Sequence, residues 1–263
     1  MKSKSKGEFM FSIENFLNND DIDVTYQLGA FRVAEYKRDL SVTKETAQRE
    51  YFASQMGLRL KQLICDLNVN PVTLQAGAMQ WMLGDVNASS GIKGIGDFIG
   101  KSLRSSVTSE TAVKPEYHGT GMIVLEPSYK YIILLDVDDW NGSIVLEDGY
   151  YLASESSLDH KIVSRSNISS AVAGGEGLFN LSLQGNGVLA LESPVAKNEL
   201  IEIDLVDDVL KIDGSFAIAW SGSLKFTVER ATKSLMGSAV SGEGLVNVYR
   251  GTGKVLMAPV DFN

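Results

Sequence analysis

Three stretches of this 263-residue chain carry one signature: Gly-x-Gly, a run of mostly apolar residues, then a proline. They are Gly119-Thr120-Gly121-Met122-Ile123-Val124-Leu125-Glu126-Pro127, Gly185-Asn186-Gly187-Val188-Leu189-Ala190-Leu191-Glu192-Ser193-Pro194 and Gly251-Thr252-Gly253-Lys254-Val255-Leu256-Met257-Ala258-Pro259, each 66 residues after the one before. A fixed period of this length marks a repeated supersecondary unit, and units so small do not easily bury private cores. They are therefore expected to pack on one another. Three equivalent contacts that close a ring leave no face unmatched, which predicts a pseudo-threefold arrangement.

Other signatures recur in the same order. Leu63-Ile64-Cys65-Asp66-Leu67, Ile133-Leu134-Leu135-Asp136-Val137 and Ile201-Glu202-Ile203-Asp204-Leu205 each set an aspartate near the end of an apolar strand. Gly77, Gly149 and Gly214 then follow, each inside an apolar run, as sites of positive φ or close backbone approach. Gly175-Glu176-Gly177-Leu178-Phe179-Asn180 and Gly242-Glu243-Gly244-Leu245-Val246-Asn247 match in the second and third copies, whereas the first keeps only Glu110. The expected fold is mainly β: three repeated antiparallel lobes at 61–131, 132–197 and 198–263, after an N-terminal extension over 1–60. In that extension, Ser12 can cap a short helix, Val24 to Tyr36 alternates as a hairpin, and Thr43 to Met56 suits a surface helix.

Charge and cysteine content narrow the function classes. A net charge of −9 repels phosphate backbones, so general nucleic-acid binding is not expected. The single cysteine, Cys65, rules out an intrachain disulfide and a cysteine-rich zinc site. No apolar run approaches the roughly 18 residues of a spanning helix. The expected location is cytoplasmic, with peripheral membrane association left open.

With those residues set out, the chain resembles the altered-inheritance-of-mitochondria family over about residues 60 to 262. The resemblance rests on Leu74-Gln75-Ala76-Gly77-Ala78-Met79, the glycine-rich insertion before Glu110, the Gly-Glu-Gly-Leu segments at 175 and 242, and the closing Val255-Leu256-Met257-Ala258-Pro259. It implies a β-rich fold similar to the tryptophan-RNA-binding attenuator protein, repeated within one chain. It implies no established reaction, and for eukaryotic members a role in mitochondrial organisation.

Residues that could carry chemistry have plainer readings. The Gly-x-Gly motifs lack the third glycine and following helix of a dinucleotide fingerprint, so they read as turns. Asp136 to Gly142 has oxygen ligands at alternate positions, as a calcium loop does, but in that register the first ligand is Val137, and a hairpin loop is expected. His118 and His160 are the only histidines; His118 reads as a strand end facing solvent and His160 as part of a solvated loop. Cys65 reads as a buried hydrophobe, and Trp81, Trp140 and Trp220 as packing. Asn180 and Asn247 read as partners for backbone groups.

The insertion Gly84 to Ser109 holds the one candidate docking surface. Ile92, Ile95, Phe98, Ile99 and Leu103 fall on one face of a helix, with Lys93, Lys101 and Arg104 beside them; the face reads first as a cover over a sheet edge and alternatively as an exposed docking element. The functional expectation is a binding or scaffolding protein without a catalytic, cofactor or metal site. Its partner would be an unidentified protein or a membrane surface. A small-ligand protein or enzyme with a pocket between lobes, near His118 and Glu110, is the alternative. RNA binding by fold analogy is the third reading.

Overall fold

The computed structural model describes residues 11–38, 41–89, 114–164, 179–230 and 245–260. The insertion face from Ile92 to Leu103, and Glu110, Glu176 and Glu243, lie outside them. The chain opens with the hairpin β1 (Ile22–Leu28) and β2 (Phe31–Tyr36), then the helix α1 (Ala47–Gln55). Next come β3 (Lys61–Asp66), β4 (Val72–Leu74), β5 (Met79–Ser89) and β6 (Glu116–Leu125). The middle stretch gives β7 (Tyr131–Asp136), β8 (Ser143–Leu146), β9 (Tyr151–Glu155), β10 (Asp159–Ser164), β11 (Phe179–Gln184) and β12 (Val188–Ser193). The last gives β13 (Ile201–Asp213), β14 (Ala217–Ser221), β15 (Lys225–Arg230) and β16 (Leu245–Met257). Ser12 opens no helix: its hydroxyl bonds Glu14, and Phe16 instead packs into the core.

The strands form two antiparallel sheets. One runs β1-β2-β3-β6-β4-β9-β12-β7, with β5 also on β6; the other runs β10-β11-β8-β14-β16-β13, with β15 also on β16. The pairings repeat in register. Cys65 of β3 lies opposite Ile123 of β6, Leu135 of β7 opposite Leu189 of β12, and Ile203 of β13 opposite Val255 of β16. Each of those three partners is four residues past the first glycine of its motif. No ring closes among the described strands, because β5 pairs only with β6 and β13 only with β16.

Two local expectations are corrected. The Gly-x-Gly bends the chain only at 185–187; the first and third motifs lie inside the continuous strands β6 and β16. All six glycines nevertheless have positive φ, and a Cβ at Gly119 or Gly121 would collide with the backbone oxygens of Asp85 or Leu83 on β5. The requirement is close backbone approach rather than a turn. The second correction concerns Asp136 to Gly142, which is not a hairpin loop. It carries the chain from β7 in one sheet to β8 in the other through a single 3₁₀ turn, Val137–Trp140. Val137 and Trp140 are buried and draw the turn across the core, while Asp136 Oδ1 accepts the Asp138 N–H at 3.0 Å. Asp66 likewise accepts the Asn68 N–H, but Asp204 ends nothing, since β13 runs on to Asp213 through a bulge.

Gly77, Gly149 and Gly214 have φ of 81°, 86° and 70°. Gly214→Val is expected to cost ~1 kcal/mol or more, from the left-handed backbone and from the Phe216 ring that a Cβ would touch. An unchanged melting temperature would refute this.

Four buried clusters fill the body. Phe31, Leu63, Cys65, Leu74 and Ile123 share the first with Leu152, Ala153 and Ala190 from the middle stretch. Ile133, Trp140, Leu146 and Leu189 share the second with Ile218, Ala219 and Leu256 from the last. The third is largely the last stretch's own, filled by Trp220 and Tyr249 with Phe226 against them. A fourth, smaller cluster seals Ile64, Met122 and Val124 of the first stretch under Phe16 and Ile22, with Trp81 packed on Phe16 at 5.5 Å.

Candidate functional site

The densest buried polar chemistry lies where β4 meets β9. In an extended strand successive side chains point to opposite faces, so Ser154 and Glu155, neighbours on β9, serve two different networks. Both are buried.

On one face Tyr151 Oη donates to the Thr73 carbonyl at 2.9 Å and lies 3.1 Å from Ser154 Oγ, which lies 2.8 Å from His160 Nε2. The Tyr151 phenol has one proton, and it is committed to Thr73. With all three contacts as hydrogen bonds, Ser154 donates to Tyr151 and accepts from an Nε2–H of His160. A serine being activated as a nucleophile would need the opposite arrangement, with the imidazole accepting its proton. His160 is thus no solvated loop residue: it lies on β10, opposite Leu183, with its ring edge-on to Tyr151 at 5.5 Å. Burial, helped by the nearby Lys114 and opposed by Asp159, pushes its pKa down to about 4. The imidazole is held neutral.

On the other face Glu155 serves three donors. Oε1 accepts the Ala30 N–H at 2.9 Å and Asn70 Nδ2 at 3.0 Å, and Oε2 accepts the Val188 N–H at 3.0 Å. One carboxylate thereby ties the β1–β2 turn, the loop before β4 and the start of β12.

Beside this seam opens a cleft of about 370 Å³ between the Gly77 and Gly149 turns, lined by Gln75, Leu125, Glu126, Ser128, Tyr151 and Glu192 among others. The Glu192 carboxylate is held by Ser128 Oγ at 2.6 Å and Lys130 Nζ at 2.8 Å. A second cleft of about 240 Å³ lies under α1, where Tyr129 Oη donates to Glu50. Neither is lined by His118, which is exposed on β6 opposite Asn87.

Other expectations are met. Burial raises the Cys65 thiol well above its usual range, so it stays protonated. Trp140 and Trp220 are buried. Asn180 Nδ2 donates to the Leu146 carbonyl at 2.8 Å and Asn247 Nδ2 to that of Gly214 at 2.9 Å. Sequence reasoning missed Thr73, which sits between apolar neighbours with no signal of its own, and Ser154 and Glu155, whose only signal was a polar Ser-Glu-Ser run directly following apolar residues.

The fold and seam define a mainly β protein whose consecutive stretches pair strands and share cores. The chain matches the family of mitochondrial biogenesis AIM24 over residues 54–260, and it belongs to that family. An uncharacterized protein of Streptococcus pyogenes serotype M6 is 30% identical over 192 residues, covering 70% of this chain and 75% of that one. The crystal structure of protein SPYM3_0169 from Streptococcus pyogenes superposes with a TM-score of 0.54 at 25% identity, covering 78% of this chain and 89% of that one. Among the described residues no helix is long and apolar enough to cross a membrane.

Proposed function

We propose that the protein is a binding or scaffolding protein, a rigid body of three copies of one β unit at 61–131, 132–197 and 198–263 that presents its surface to a partner. The observation that carries this reading is the use made of the most buried polar groups. Ser154 and Glu155 are consumed in joining strands: Ser154 Oγ is hydrogen-bonded to His160 Nε2 across to β10, and both Glu155 oxygens are occupied by donors within the chain. A second joint supports the three-unit reading. At β4–β9, Gln75 N–H donates to Leu152 O and Ser156 N–H to Pro71 O; at β8–β14, Glu147 N–H donates to Ile218 O and Gly222 N–H to Ser143 O. Gln75 and Pro71 stand two and six residues before Gly77 as Glu147 and Ser143 do before Gly149, and Leu152 and Ser156 precede Ile218 and Gly222 by the 66 residues that separate the Gly-x-Gly motifs.

The partner is an unidentified protein or a membrane surface, and the family's description, mitochondrial biogenesis, suits the latter for its organellar members. The helix α1 with its C-cap Met56 offers exposed apolar side chains for either, in Tyr51, Phe52 and Met56. Native mass spectrometry of the protein drawn from its own cells tests the proposal: a copurifying protein or lipid is the expected result. Recovery of a metabolite instead would favour the second reading, a small-ligand protein, which the 370 Å³ cleft beside Tyr151 supports.

A further inference from the structure

The geometry points to a third strand joint, made with a second copy of this chain: residues 209–213 of β13 pair antiparallel with residues 80–84 of β5 from the next molecule. The inference rests on the three-unit reading. In the first joint, Val72, Thr73 and Leu74 lie opposite Glu155, Ser154 and Ala153. In the second, Ile144, Val145 and Leu146 lie opposite Ser221, Trp220 and Ala219. The strand before one unit's glycine thus adds to the strand after the next unit's glycine, twice, with one register.

Pairing within the units identifies the residues of the third joint. Val72, Ile144 and Leu210 lie opposite Tyr117, Leu183 and Tyr249, each two residues before its Gly-x-Gly. Met82, Ser154 and Trp220 lie opposite Ile123, Leu189 and Val255, each four residues after the first glycine. The missing joint therefore sets Leu210 opposite Leu83, Lys211 opposite Met82 and Ile212 opposite Trp81. Its flanking hydrogen bonds run from the Asp213 N–H to Gln80 O and from the Gly84 N–H to Val209 O.

The same positions are treated differently where the joint exists and where it does not. All twelve residues of the two formed joints are buried. At the third, Met82 is 45% exposed, Lys211 is exposed and Trp81, Leu83 and Leu210 are half-buried, with Ile212 alone buried. The sheet faces at both ends are already closed by the chain itself, with Phe16 against Trp81 at one end and the Trp220, Phe226 and Tyr249 rings at the other. What is left over is backbone: among the described residues β5 and β13 each have one strand neighbour. An unpaired edge is a template for strand addition, and complementary edges on one molecule join head to tail. The bulge between Leu205 and Asp208 confines the pairing to the five residues beyond it.

Analytical ultracentrifugation of the full chain over a dilution series is the test, with Met82→Lys as the principal variant. It sets a cation opposite Lys211, and both side chains are exposed in the lone chain, so folding is not at issue. The expected results are reversible self-association of the wild type, weakening by roughly tenfold in Met82→Lys, and recovery when Lys211→Glu is added to it. Amide exchange at Gly84 and Asp213 should slow on association. A wild type monomeric at every concentration, or association indifferent to Met82→Lys or not restored by the second charge, would overturn the joint. None of those outcomes touches the partner-binding reading, which native mass spectrometry decides separately.

Discussion

Glu155→Ala is expected to destabilise the protein by roughly 3–5 kcal/mol, read as a shift in the urea midpoint. The carboxylate is buried and receives the Ala30 and Val188 N–H groups, neither of which has water to turn to once it is gone. Each orphaned buried donor costs about 1–3 kcal/mol, and the Asn70 amide loses its acceptor as well. Glu155→Gln is the control. It preserves the volume but turns one acceptor oxygen into an amide donor facing another donor, so it should fall between the two. A loss below about 1 kcal/mol for the alanine variant would show that water or relaxation replaces the carboxylate.

The second large effect is a pH dependence. His160 titrates near 4 in the folded chain against about 6.5 in an unfolded one. Above about pH 6.5 it is neutral in both states and contributes no slope. As pH falls from there towards 4, the unfolded chain takes up a proton that the folded chain refuses, and stability declines by ~3 kcal/mol. Below 4 both forms are protonated and this contribution levels off. The comparison of wild type with His160→Asn across that window isolates it from the carboxylates: the difference in unfolding free energy should shrink or reverse on the acid side. A difference that stays constant from pH 7 to 4 would mean that His160 titrates normally.

Much of the fold was legible because glycine spacing reports backbone geometry directly. The recurring apolar strand ending on aspartate located β3, β7 and the first half of β13, and the glycine that follows it each time anticipated positive φ at Gly77, Gly149 and Gly214. The hairpin at β1–β2 and the helix α1 followed from alternation and composition. What the pattern could not supply was pairing between sheets. Alternation tells which residues of a strand are buried, not which strand buries them, so the crossing at Val137–Trp140 looked like a local loop. His160 looked solvated for the same reason: the partners that enclose it, Tyr151 and Ser154 of β9, belong to the other sheet. Asn180 and Asn247 were legible as backbone partners, whereas the proposed docking face at Ile92 to Leu103 lies outside the described residues.

The middle stretch alternates between sheets as it runs: β7, β9 and β12 belong to the first, β8, β10 and β11 to the second. The two sheets are consequently laced by one thread that passes repeatedly from one to the other. Severing that thread anywhere between Leu146 and Val188 would strand pieces of both sheets on each fragment, so no single cut there yields a half able to refold by itself. Nor can one sheet melt while the other persists, because its loss removes the anchors of the strands between. The chain should therefore fail as one body, in a single cooperative event, despite being long enough for two domains.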